Sequence, residues 1–130
     1  MTPASLRILI VDDENLVREN LVAYCEDEGF DVTSAESGER ALEILKTGRF
    51  DIDIIDMRLP GIDGNAVIQQ AHAINGGMKF LIHTGSTNYS LPQELVSIGL
   101  TSSDILRKPI SDMNQLRDKI LEIARTQDLH

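Results

Sequence analysis

Residues 51–64 read DIDIIDMRLPGIDG, from Asp51 to Gly64, and this stretch decides how the chain is built. Ile52, Ile54 and Ile55 are β-branched, and their run is too short for a helix, so the segment is expected as a strand buried on both faces. The strand stops at Asp56, and the turn residues Pro60-Gly61 and Asp63-Gly64 follow. Asp56 is therefore expected where an interior strand emerges into a loop. In an open parallel sheet, ligands bind in the crevice at that carboxyl edge.

A second run, LRILIVDDE at Leu6–Glu14, has the same form. Ile8, Leu9, Ile10 and Val11 are continuously apolar, and the run ends in Asp12 and Asp13. If the two strands are neighbours, three carboxylates crowd one site, and like charges at that range raise pKa values unless a cation neutralises them. Hard oxygen ligands in that number suit Mg²⁺, which takes one or two carboxylates and keeps other positions for water and phosphate. A divalent ion beside a spare carboxylate implies phosphate chemistry.

The 130 residues, 42% hydrophobic, suffice for one domain with a real core, expected over 1–130 with its core at about residues 6–124. Twelve basic against 21 acidic residues give a formal charge of −9, and no Lys/Arg cluster traces a phosphate backbone, which argues against nucleic-acid binding by this domain alone. The single Cys25 excludes an internal disulfide and a multi-cysteine zinc site and fits a reducing compartment. No stretch approaches the roughly 18 apolar residues of a membrane span, and the start MTPASLR lacks an apolar signal core. A cytoplasmic chain is the expectation.

Taken in order, strand and helix patterns alternate. Glu14–Glu28 carries Leu16, Val17, Leu21, Tyr24 and Cys25 at helical spacing before Gly29. Phe30–Ala35 reads as a short strand, and Ser37 caps a helix through Lys46. Gly64–Ile74 supplies a third helix on Ala66, Val67, Ala71 and Ile74, and Met78–Thr84 a fourth strand. Ser90-Leu91-Pro92-Gln93 has capping-box spacing with Pro inside the first turn, so a helix to about Ile98 is expected. Asp104–Arg107 is a brief fifth strand, and Ser111 or Asp112 starts a last helix ending near Ala124. Five strands alternating with five helices argue for an α/β, doubly wound parallel sheet with helices on both faces.

These residues resemble the receiver domain of two-component response regulators over nearly the whole chain. The marks are VDDE at Val11–Glu14, IIDMRLPGIDG around Asp56, HTG at His83–Gly85 and RKP at Arg107–Pro109. The resemblance implies a flavodoxin-like (βα)5 three-layer sandwich with strand order 2-1-3-4-5. It further implies that Asp56 is the phosphoacceptor, modified to 4-aspartylphosphate, and that Asp12 and Asp13 are Mg²⁺-site acids. Thr84 would be the switch hydroxyl, Lys108 the phosphate-pairing lysine, and the Arg58 backbone carbonyl a further metal ligand. The implied partners are a sensor histidine kinase or phosphotransfer protein as donor and an output domain or effector, with a homodimer through the fourth-helix to fifth-helix face common in the family. Such a receiver is no turnover enzyme, since it catalyses only its own phosphorylation and dephosphorylation.

The chemistry suits those residue types. A carboxylate can attack a phosphoryl group, and the remainder of the work is positioning and charge neutralisation. Taken singly, each residue has a plainer reading: Asp12-Asp13 as a solvated helix start, Asp63-Gly64 as a turn, Lys108 as a surface lysine, Thr84 as a hydroxyl satisfying backbone. Their joint occurrence at strand ends favours the receiver. His72, His83 and His130 show no ligand spacing. Two departures stand out. Ile105 lies three residues before Lys108, where the family usually has Tyr or Phe as a rotating switch aromatic. Asp53 puts a charge inside an interior strand, and is expected near a wet end or paired with an Arg or Lys.

Two other classes compete with this reading. Asp51-x-Asp53 resembles the acid pair of a haloacid-dehalogenase-type Mg²⁺ phosphatase, but those acids begin a strand, where the crevice is absent. A phosphorylation-independent pseudo-receiver, acting only through protein contact, is the alternative that Ile105 keeps open.

Overall fold

Among the residues described by the computed structural model, 6–128, five strands alternate with five helices. Residues 1–5, 129 and 130, with most of the MTPASLR start and His130, lie outside the described residues. The strands are β1 (Arg7–Val11), β2 (Asp31–Ala35), β3 (Ile52–Ile55), β4 (Lys79–Thr84) and β5 (Ile105–Arg107). All neighbouring pairs are parallel, in the order β2-β1-β3-β4-β5. The helices are α1 (Asn15–Asp27), α2 (Gly38–Thr47), α3 (Gly64–Ile74), α4 (Gln93–Val96) and α5 (Asn114–Asp128).

The period-two alternation of strand side chains splits the core into two layers. On one face of the sheet, Leu9, Val11, Ile55, Phe80 and Ile82 meet Ala41 and Leu45 of α2, Val67, Ile68 and Ala71 of α3, and Leu95 of α4. On the other, Ile8, Ile10, Ile52, Ile54 and Leu81 meet Leu21 and Cys25 of α1 and Leu116 and Ile120 of α5. Parallel crossovers thus cover both faces, giving the three-layer flavodoxin-like sandwich.

Local chemistry sets the helix starts nearest the carboxyl edge. Ser37 accepts from the Arg40 N–H at 3.1 Å to cap α2, and Asp63 accepts from the Ala66 N–H at 2.9 Å to cap α3. Gly64 opens α3 where the chain doubles back on β3. A Cβ there would stand 2.7 Å from the Asp56 carbonyl oxygen, so only glycine allows this approach.

Several expectations are corrected. The fourth helix does not begin at a Ser90 cap: Pro92, extended at φ −62° and ψ 152°, is itself the N-cap, and α4 is one turn that gives way to Gly99 at φ 108°. Proline disfavours helical geometry in the residue before it, which moves the start past the apparent box. A capping box does form at Thr101, whose N–H donates to Asp104 at 2.8 Å, so Asp104 closes a 3-10 turn and does not open β5. The last helix runs four residues beyond Ala124, to Asp128. Leu16 and Ile74, expected on buried helix faces, are 76% and 46% exposed. Asp53 is neither wet nor paired: it is fully buried, and neither carboxylate oxygen has a partner.

Candidate functional site

The register of β1 against β3 assembles the acids. Val11 pairs with Ile55, and the Asp56 N–H donates to the Val11 carbonyl at 2.9 Å, so the residues leaving the two strands, Asp12 and Asp56, emerge side by side. Asp12, Asp13 and Asp56 each offer a carboxylate oxygen within 4.8 Å of the others. Asp12 and Asp56 are buried, at 1% and 4% exposure, whereas Asp13 faces solvent.

Lys108 follows β5, and its backbone N–H donates to the Thr84 carbonyl at 2.7 Å, fixing it beside the end of β4. Its ammonium stands 3.0 Å from Asp12 Oδ2, 3.2 Å from Asp56 Oδ2 and 3.1 Å from Glu14 Oε1. The following peptide bond, Lys108-Pro109, is cis. Burial alone would lower the Lys108 pKa, but the hydrogen bond to Asp12 and the charges of Asp56 and Asp12 outweigh it and raise it, so the side chain is a fixed cation.

For Asp56, burial raises the pKa, while the Arg58 N–H, donating to Oδ1 at 3.1 Å, and Lys108 act the other way. The Arg58 side chain points to solvent. Thr84 ends β4 at the same edge, 1% exposed, and its hydroxyl accepts from the Ser86 N–H at 3.2 Å. That hydroxyl is not among the groups hydrogen-bonded to Asp56. The neighbouring His83 is buried with neither ring nitrogen partnered, and desolvation lowers its pKa to about 4, so the imidazole is neutral at pH 7. Asp51 and Asp53 do not join the cluster. Asp51 lies at the opposite edge, accepting from the Arg7 N–H at 2.8 Å.

The sequence reading missed two residues. Glu14 is the third anion on Lys108, a role hinted at only by its place in VDDE. Arg18 donates to the Asp12 carbonyl at 2.9 Å and to Asn15 Oδ1 at 2.7 Å, pinning the turn that carries both N-terminal acids. Three clustered hard carboxylate oxygens, two of them on buried residues, are a donor set that fits Mg²⁺.

Comparison with known proteins gives one consistent result. The sequence model of the family described as response regulator receiver domain matches residues 8–121. Sporulation initiation phosphotransferase F of Bacillus subtilis is 30% identical over 114 residues, covering 88% of this chain and 90% of that protein. A cyclic di-GMP phosphodiesterase of Thermotoga maritima is 30% identical over 125 residues, 96% of this chain, and the chain spans 33% of that relative's length. Among solved structures, the response regulator protein TrrA of Thermotoga maritima in complex with Mg²⁺-BeF superposes with a TM-score of 0.77 at 29% identity, over 92% of this chain and 99% of that one.

Proposed function

The chain belongs to the response regulator receiver domain family of two-component signalling, and from that premise we propose that Asp56 is its phosphoacceptor. The observation that carries the reading is the Lys108 ammonium held against Asp12 and Asp56 where the three carboxylates converge. A contact-only module would have no use for a buried nucleophile so placed.

In the proposed reaction an Asp56 carboxylate oxygen forms a bond to phosphorus as the donor's bond to phosphorus breaks. When the donor is a phosphohistidine, the imidazole nitrogen keeps the electron pair and takes up a proton. Transfer of this kind rests on positioning and charge neutralisation. Asp12, Asp13, Asp56 and the Arg58 carbonyl would hold Mg²⁺, which when bound neutralises charge on the phosphoryl oxygens. Lys108 supplies a second positive charge, already within reach of Asp56 Oδ2. The Arg58 N–H orients the carboxylate by binding Oδ1. Thr84 is the hydroxyl that would turn toward the new phosphoryl oxygen and move its loop.

The partners follow from that chemistry: a histidine kinase or phosphotransfer protein as donor, and an output domain or effector as reader. Residues 1–130 are read as one receiver domain that catalyses only its own phosphorylation and dephosphorylation. Among the described residues no helix is long and apolar enough to cross a membrane, and we place the domain in the cytoplasm with its donor.

The test is Asp56→Asn, which keeps the shape and removes the nucleophile. With Mg²⁺ and acetyl phosphate, intact mass should show one added phosphoryl group on the wild type and none on the variant. A variant that still gains the group sinks the assignment.

A further inference from the structure

The segment between β4 and α4, residues 85–92, has no regular secondary structure and is followed by a single helical turn. Its place is therefore set by tertiary contacts. One side chain supplies two of them. Arg107, the last residue of β5, donates from Nη1 to the Ser86 carbonyl and from Nη2 to the Tyr89 carbonyl, the latter at 3.2 Å. The planar guanidinium suits this, because its fork can hold two acceptors in a fixed relation.

The tether reaches the phosphorylation site through one more bond. The Ser86 N–H donates to Thr84 Oγ1 at 3.2 Å, and the Thr84 carbonyl accepts from the Lys108 N–H at 2.7 Å. Thr84, Ser86, Tyr89 and the end of β5 thus form one connected unit, with the Thr84 hydroxyl held by an amide whose own residue is held by Arg107. The Tyr89 hydroxyl is buried without a partner, so the ring side of this segment is held by packing alone. Ile105 offers no alternative polar link from β5 to the segment.

We infer that Arg107 is a positioning residue that holds residues 86–89, and through Ser86 the Thr84 hydroxyl, in the unphosphorylated arrangement, and so sets the affinity of the Asp56 site for a phosphoryl group. The inference rests on the assignment of Asp56 and Thr84 above. A contact made in one of two states biases the equilibrium toward that state, and its removal raises the apparent affinity of any ligand that selects the other. For the Thr84 hydroxyl to close on a phosphoryl oxygen, the Ser86 amide bonded to it must follow or its hydrogen bond must break. Arg107 resists that movement.

The experiment uses Arg107→Lys, which keeps the charge and loses the fork, with Arg107→Ala beside it. Each chain is titrated with Mg²⁺ alone and then with beryllofluoride in saturating Mg²⁺, a stand-in for the phosphoryl group on Asp56. Arg107→Lys should bind beryllofluoride about fivefold or more tightly than the wild type, the lower end of ordinary coupling between sites. Its Mg²⁺ affinity should be unchanged, since Arg107 touches none of the acids. A purely structural role would weaken both titrations together, and that result overturns the inference, as does a variant whose beryllofluoride affinity equals the wild type's. Failure of the Asp56 assignment looks different: the wild type itself would take up no beryllofluoride, and both readings would fall.

Discussion

The Lys108 ammonium stands 3.2 Å from Asp56 Oδ2 and is shared with a second buried acid, Asp12, at 3.0 Å. It acts as the cation of the cluster, and its removal leaves two buried carboxylates facing one another. Lys108→Ala should therefore slow phosphorylation by a small phosphodonor about a hundredfold, the usual cost of deleting one preorganised charge partner of a reacting group. The same change removes a competitor for Asp12, so Mg²⁺ affinity should hold or rise. An intact-mass time course and a Mg²⁺ titration check the two halves. A variant phosphorylated at the wild-type rate would show that Lys108 takes no part in the transfer.

Asp53 predicts a pH dependence. Burial raises its pKa to about 8 in the folded chain, against about 3.9 when unfolded. Between those values the folded state holds the proton more tightly than the unfolded state. The stability this contributes is fully present below about pH 4 and is lost as pH rises through about 8. Asp53→Val replaces an unpaired acid by a β-branched residue suited to an interior strand. It should stabilise the fold by about 2 kcal/mol near pH 4, where the folded acid is protonated, the order of cost of an unsatisfied buried polar group. From there the advantage should grow by up to about 1.4 kcal/mol per unit and level off above about pH 8. Urea unfolding of both chains at pH 5.5 and 8.5 tests this, and an advantage independent of pH would mean that Asp53 is not the proton-linked group.

What the sequence could disclose depended on whether a feature is local. β1, β3 and β4 were legible because strands buried on both faces need apolar runs, which Ile8–Val11 and Phe80–Ile82 provide without a break and Ile52, Ile54 and Ile55 provide around Asp53. The meeting of Asp12 with Asp56 was legible for the same reason, since both leave such strands at one edge. Lys108 was reached only through family resemblance, because its contact with Asp56 spans 52 positions of chain. The short α4 was misread because the Ser90–Gln93 pattern is a local signal, and it was overridden by the extended Pro92 and by the burial of Leu95 and Leu100. The roles of Arg18 and Arg107 were invisible, although Arg107 stands in the RKP mark, because both act by donating to backbone carbonyls, which every residue possesses.

Ile105 sets where the switch can act. It pairs with Ile82 and lies half-buried, packed against the core layer that contains Phe80 and Leu95. Its β-branch restricts χ1, so it has no second rotamer comparable to that of a rotating aromatic ring. We expect it to stay packed in both states, leaving the conformational change to residues 85–90 and the start of α4, where Arg107 is the tether that must give way. Amide chemical shifts compared with and without Mg²⁺-beryllofluoride should therefore move most in Thr84–Glu94 and near Lys108, together with the Arg107 side-chain resonances. The backbone amides of Ile105 and Leu106 and those of α5 should move less. Shifts of equal size through Ile105, Leu106 and α5 would mean that the signal crosses β5 as it does with an aromatic switch, and that Ile105 does not confine it.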